Sequence, residues 1–229
     1  QYCNSGGYKG LEKSFEIGQQ KTIDEIKKSG LNGRGGAAFP TAIKMQTVLD
    51  QESKTKYVAC NADEGDGGTF SDRLIMECDP FSLIEGMTIA AYSVGASHGY
   101  IYLRSEYPLA KYFLTEAIQT LKSSNLLGKN ILGKNFAFDI ELRIGAGSYV
   151  CGEETAMMES IEGKRGLVRS KPPLPAIKGL FSKPTLINNV ITLASMSAIL
   201  LQGKEIFSQF GSGKSLGTMP YQLCGNIKQ

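Results

Sequence analysis

The chain carries one histidine among its 229 residues. That residue, His98, stands just before a strand-like run and reads as a turn residue, not a general base. None of the five cysteines, at positions 3, 60, 78, 151 and 224, forms a C-x-x-C pair. A zinc ribbon and an iron–sulfur run are therefore excluded, and no metal ligand set is expected. An odd number of widely spaced cysteines reads as reduced, intracellular thiols, which predicts a cytoplasmic protein. The net charge of +3 is too small to indicate nucleic acid. No apolar run is long enough to span a membrane, and the N-terminal residues lack the pattern of a secretion signal. The sequence opens on Gln1 instead of Met, so the native N-terminus is expected upstream. A G-x-G-x-x-G dinucleotide fingerprint is also missing.

A content of 41% hydrophobic and 21% charged residues is ordinary for a globular protein of one large or two small domains. Glycine is plentiful, with 27 residues, which suggests many turns or close backbone–ligand approaches. The central stretch is GAGSYVCGEET, Gly145 to Thr155. It follows FAFDIELRI, where Phe136, Phe138, Ile140, Leu142 and Ile144 alternate with polar residues as in a half-buried strand. A strand, a glycine turn and a helix start near Glu153 form a cradle for an anion or nucleotide. The adjacent acids Glu153 and Glu154 suit sugar hydroxyls or a ring N–H better than a bare phosphate. Acids in a first helical turn also answer the helix macrodipole, and spacing alone leaves both readings open.

Residues 1–21 show no clear periodicity. Thr22 and Glu25 form a capping box for a short helix that stops at Gly30. In LNGRGGAAFPTAIK, Gly33, Gly35 and Gly36 surround Arg34, with Lys44 on the helix after Pro40. Such a cationic loop fits a phosphate; a flexible turn beside a surface arginine is the alternative. KYVAC is a buried strand that runs into NADEGDGGTFSDR. There Asn61, Asp63, Glu64 and Asp66 form either a ligand loop at a strand end or a solvated acidic turn. Asp79-Pro80 and Pro108 open helices, and YIYLRSE lies between them as a strand. The run 162–189, with three prolines between Pro172 and Pro175 and five cations between Lys164 and Lys178, lacks periodicity and is expected to lie across a ligand. Asn188-Asn189 caps the following helix, and residues 204–210 form a short one. GSGKS at 211–215 lacks the first glycine and the preceding strand of a phosphate loop and is rejected as one. MPYQLCGNI reads as a final strand whose partners lie outside the sequence. The strand–helix alternation predicts an α/β fold, with helices on both faces of a small parallel sheet.

GRGGAAFPTAIK, CNADEGDGGTFSDR, GSYVCGEETA and LINNVITLA, in this order and spacing, resemble the family of NADH-binding flavin subunits. This is the 51-kDa-type subunit of complex I, with relatives in soluble NAD-dependent formate dehydrogenases and NAD-linked hydrogenases. The resemblance runs from about Gly30 onward. GLVRSKPPLPAIKGLF and the tail GKSLGTMPYQLCGNIKQ look closest to the formate dehydrogenase branch, with complex I or a hydrogenase as the alternative.

The resemblance implies a Rossmann-like FMN/NADH-binding domain over 31–213, after a partial lead-in over 1–30. Residues 214–229 would open a truncated ubiquitin-like domain. It implies an FMN held by Gly33, Arg34, Gly35, Gly36 and Lys44, by Asn61, Asp63 and Glu64, by Tyr149, Gly152, Glu153 and Glu154, and by Asn188 and Asn189. NAD(H) would stack on the flavin as the substrate, beside Phe39, Asp66, Glu154 and Lys171. Asp66 replaces a glutamate, and Thr47 and Leu174 replace two aromatics that sandwich the adenine. Hydride transfer between these cofactors needs no catalytic side chain. Electrons would leave through iron–sulfur clusters of partner subunits and a 4Fe–4S cluster in a region beyond this sequence. A flavin scaffold without turnover and a flavin-free nucleotide module are the competing readings.

Overall fold

The computed structural model describes residues 1–223 and 225–226. The strands β1 (Tyr57–Ala62), β2 (His98–Leu103), β3 (Asp139–Ile144) and β4 (Thr185–Asn189) form a sheet in the order β3-β2-β1-β4. Every neighbouring pair in it is parallel. A parallel sheet needs cover on both faces, and the period-2 pattern shows how it gets it. Val58, Cys60, Ala62, Ile101, Leu103 and Leu186 enter one large core. Ala59, Tyr102 and Ile187, their alternating neighbours, enter a smaller one with Cys151, Met157, Met158 and Ile161.

The large core is filled by α1 (Lys9–Ile17), α2 (Gln19–Ser29), α3 (Thr41–Leu49), α5 (Pro80–Val94), α6 (Pro108–Ser123) and α8 (Val190–Gln202). The thin side is covered by α7 (Glu154–Ile161). Two short helices, α4 (Ser71–Cys78) and α9 (Lys204–Ser208), complete the set of helices used below. Asp79 caps α5 by accepting from Ser82 N, and Pro80 stands in its first turn, as the sequence implies. His98 is exposed at the start of β2, beside Ser97.

Several local expectations are corrected. Thr22 caps nothing, because α2 already begins at Gln19; the buried Thr22 hydroxyl instead donates to Gly18 O at 2.9 Å. Residues 9–17, without obvious periodicity, form α1, which seals the large core with Leu11 and contacts α8 and α5. Residues 185–189, at the end of the run expected to be irregular, are β4. Four of its five residues are buried, so the alternation that marks a half-buried strand is absent. The final strand does not form over 219–223, while Cys224 and Ile227 lie outside the described residues. Residues 211–216 instead make a tight hairpin of β5 (Gly211–Ser212) and β6 (Ser215–Leu216), so GSGKS is a β-turn.

Helix α5 crosses α8 at very short range. A Cβ on Gly86 would lie 1.9 Å from Leu193 O, so only glycine permits this approach. Gly86→Ala must push the helices apart, and it is expected to lower unfolding free energy by about 3 kcal/mol in urea denaturation. An unchanged midpoint would mean that the helices do not pack this closely.

Candidate functional site

At the carboxyl ends of β1 and β4 lie two adjoining cavities. The first, about 460 Å3, is bordered by Gly33, Phe39, Lys44, Glu154, Lys171 and Asn188 among others. The second, about 810 Å3, is bordered by Arg34, Gly36, Asp63, Glu64, Asp66 and Tyr149, together with Asp72. Gly35, Asn61, Gly152, Glu153 and Asn189 border both. All of the residues singled out from the sequence are therefore gathered at one sheet edge. Thr47 and Leu174 border the first cavity as well.

The loops that carry these residues are tied to each other. Asn61, near the end of β1, donates from Nδ2 to Gly152 O at 2.7 Å, and its Oδ1 accepts from Asp63 N at 3.2 Å. Glu153 caps α7, accepting from Thr155 N at 2.8 Å and Ala156 N at 2.9 Å. Glu64 accepts from Asp72 N and Arg73 N at the start of α4 and from the Tyr107 hydroxyl, so this acid also serves as a helix cap. Tyr149, 70% exposed, reaches across to Asp66 Oδ1 at 2.7 Å. Arg34 turns its guanidinium to Leu216 O, within the hairpin, and its backbone N–H donates to Thr192 Oγ1 at 2.9 Å. Both groups of Arg34 are thus partly committed inside the chain.

Asn188 behaves differently. It is 3% exposed and borders the first cavity, yet neither its Oδ1 nor its Nδ2 has a partner among the described residues. A buried amide left unpaired costs free energy, so this one is open to a polar partner from the cavity. Gly35 and Gly152 lie next to it in the lining. A Cβ there would make ordinary contact with Asn189 Cβ at 3.4 Å and Asp63 O at 3.5 Å respectively, so the two glycines leave bare backbone at the cavity wall. Such a floor of bare backbone and an open amide fits a flat, hydrogen-bonding group.

The charges are arranged around this floor. Burial pushes the Lys44 ammonium down to about 8, while Glu154 works in the opposite direction. Lys44 Nζ rests on Ile187 O at 2.6 Å. Lys171 bridges Glu153 at 3.1 Å and Glu154 at 2.6 Å. Burial opposes its charge, but these two carboxylates hold its ammonium above the ordinary lysine value. For Glu153, burial acts upward, and the bonds from Thr155, Ala156 and Lys171 nonetheless hold the carboxyl below its usual value.

Two residues of the site escape the sequence reading. Asp72 is only 7% exposed and accepts from Asn189 Nδ2; Thr192 is fully buried and bonds both Asn189 and Arg34. The turn that precedes α4 offers no periodic signal, so in sequence Asp72 looks like part of a solvated loop. Thr192 has a usable signal, since it stands three positions after an asparagine cap.

Burial, then the nearby Glu64, pushes the Asp72 carboxyl up to about 7. The raised value means that the fold favours the protonated form. The stability from this group is full below the ordinary carboxylate value and is lost as pH rises through about 7. Asp72→Asn is therefore expected to raise the melting temperature more at pH 8 than at pH 5. An equal effect at both pH values would contradict the burial of an ionisable Asp72.

Comparison with known proteins agrees with this geometry. The family model described as the Nuo51 FMN-binding domain matches residues 26–198. The HndC subunit of the NADP-reducing hydrogenase of Solidesulfovibrio fructosivorans is 49% identical over 99% of this chain and 46% of its own length. An NADH-quinone oxidoreductase subunit of Aquifex aeolicus is 46% identical over 100% of this chain and 54% of its own length. The chain thus spans about half the length of these curated relatives. The crystal structure of an NAD+-reducing NiFe hydrogenase in its H2-reduced state superposes with a TM-score of 0.83 at 36% identity, over 91% of this chain and 35% of that one. With most of its length matched and the strand order of its sheet carrying the matched motifs to one cleft, the chain belongs to the Nuo51 FMN-binding domain family.

Proposed function

We propose that this chain is the flavin-binding part of an oxidoreductase subunit that exchanges a hydride between NAD(H) and FMN. The observation that carries this reading is the unpartnered Asn188 amide on a glycine-bordered cleft floor. When bound, the flavin supplies the hydride chemistry and releases electrons singly to iron–sulfur partners. The chain's own residues bind and orient. Asn188 offers a donor and an acceptor to the flavin, and Gly35 and Gly152 let it approach the backbone. Lys44 offsets phosphate charge from within the cleft. Phe39, 45% exposed in the first cavity, gives NAD(H) an apolar surface for stacking. Lys171 holds the Glu153–Glu154 pair, and Tyr149 with Asp66 closes the other end. With Thr47 and Leu174 beside it, the adenine lacks an aromatic sandwich.

The domain boundaries proposed are 31–213 for the binding domain and 214–229 for the start of a second domain. Partners of this chain would be iron–sulfur subunits of a multi-subunit redox complex in the cytoplasm, with a 4Fe–4S cluster farther along the full subunit. Among the described residues, no helix is long and apolar enough to cross a membrane. The relatives reported above are hydrogenase and NADH-quinone oxidoreductase subunits, which favours an assembly of those types. The formate dehydrogenase reading rests on the stretch 166–181 and the tail alone.

Two measurements test the function. The purified chain is expected to be yellow or to take up FMN, and to reduce a dye with NADH. A colourless protein indifferent to FMN would leave only a nucleotide module; a yellow protein without dye reduction would leave a scaffold. Lys44 is cationic below about 8 and neutral above it. FMN affinity should therefore fall as pH rises through that value, while riboflavin, which lacks the phosphate, should not follow. Lys44→Met should weaken FMN at pH 7 by about tenfold, as read from flavin fluorescence quenching. Equal affinity of the variant and the parent would remove Lys44 from the phosphate site.

A further inference from the structure

A chain of hydrogen bonds crosses the back of the cleft, and all its donors point one way. Arg34 N donates to Thr192 Oγ1 at 2.9 Å, and Thr192 Oγ1 donates to Asn189 Oδ1 at 2.7 Å. Asn189 Nδ2 then donates to the two oxygens of Asp72 at 3.2 and 3.4 Å. The three segments it joins, the first glycine loop, the β4–α8 junction and the start of α4, are far apart in sequence and border one cavity through Arg34, Asn189 and Asp72.

We propose that Asp72 is a positioning residue for the nucleotide cleft: it fixes the Asn189 amide and, through Asn189 and Thr192, the backbone of the first glycine loop. The inference rests on the flavin reading above. Both oxygens of Asp72 accept from Asn189 Nδ2, so the carboxyl group is the end of a chain in which every other member donates onward. It also sets which way the Asn189 amide lies. Flipping that amide would aim its NH2 at the Thr192 N–H, a repulsive contact, and would take the donor away from Asp72. The correct orientation leaves Asn189 Oδ1 free to accept from Thr192 N at 2.9 Å and so to cap α8. Gly35 neighbours the same asparagine, since a Cβ on it would make ordinary contact with Asn189 Cβ at 3.4 Å, and the bond from Arg34 N to Thr192 ties the loop to the chain.

The position of Asp72 is otherwise unfavourable. Burial, then the nearby Glu64, pushes its carboxyl up to about 7, against the hydrogen bonds from the Ile191 backbone and Asn189, and the buried Cys60 thiol lies close by. A group held at such a site against its own charge is tolerated where it orients something. Hydrogen bonds aligned in a chain polarise and strengthen one another.

FMN dissociation constants of the whole chain, measured by fluorescence quenching, test the proposal, with circular dichroism melting as the control for folding. Asp72→Ala and Asn189→Ala are each expected to weaken FMN by about tenfold. The double variant should be no weaker than Asn189→Ala alone, because the two act in one chain. Asp72→Asn keeps an acceptor for Asn189 and should bind FMN within about twofold of the parent. Additive losses, or an Asp72→Ala protein that binds FMN like the parent, would overturn the proposal and leave the flavin reading intact. A parent chain that binds no FMN would overturn both. Should Asp72→Ala fail to fold, Thr192→Val probes the other end of the chain: its loss should likewise not add to that of Asn189→Ala, and additivity there would be decisive against the proposal.

Discussion

The parallel pairing of β1 with β4 is the constraint on which the site depends. Its register sets Asn61 directly opposite Asn189. Two amides at neighbouring strand ends then face the same side of the sheet edge, each with more hydrogen-bonding groups than its own backbone can use. Asn61 spends its amide on Gly152 and Asp63, and Asn189 spends its own on Thr192 and Asp72. Loops from four parts of the sequence are fixed by these two residues. A one-residue slip of β4 would turn Asn189 to the other face and put Asn188 in its place. The buried pattern of β4 opposes this, since Leu186 and Ile187 enter different cores.

The electrostatics of the cleft follow from its depth. Lys44 and Asp72 are both pushed by burial toward their neutral forms, from opposite sides of neutrality. Neither has the other as a partner, since one borders the first cavity and the other the second. The exposed rim behaves differently. There the carboxylates of Glu153 and Glu154 hold the charge of Lys171 against burial, and the bonds from Thr155, Ala156 and Lys171 hold that of Glu153. An entering nucleotide therefore meets a charged gate and a nearly uncharged interior. A phosphate that reaches Lys44 would restore the charge that burial suppresses, and this coupling favours an anion at that depth over water.

Much of this is legible from the residues. The parallel α/β fold, the cap at Asp79 and the helix after Pro108 follow from spacing and capping rules, whereas the convergence of the glycine and asparagine motifs is what the family resemblance implies. What stays hidden has physical causes. β4 is buried on both faces and short, so it carries no alternation, and the prolines before it imitate a loop. α1 and α2 meet at Gly18, whose positive φ of 85° separates two helices that the sequence blurs together. Thr22 has the chemistry of a cap but uses its hydroxyl inside a helix, where a buried polar group needs a local acceptor. Glu64 looks in sequence like a ligand for a cofactor, and its carboxylate is engaged by the N-terminus of α4. A sequence shows that an acid stands in a loop, and it does not show which backbone N–H groups reach that acid first.

The strand that leads into GAGSYVCGEET illustrates the limit most clearly. β3 is the edge strand farthest from β4, two strands removed from the cleft floor. A cradle built directly at its end would miss the cavity. The chain corrects for this by running back across the carboxyl ends of the sheet, so that Gly152 meets Asn61 of β1. Small residues at 145–147 permit that path: a Cβ at Gly145 would lie 2.8 Å from the Tyr102 hydroxyl, and Gly147 takes a positive φ of 83°. The glycines after β3 thus do less for ligand approach than for steering the backbone toward another strand's end. In a sheet whose neighbours in space are not neighbours in sequence, the residues that bind and the residues that bring them there are separated along the chain, and both are glycine-rich.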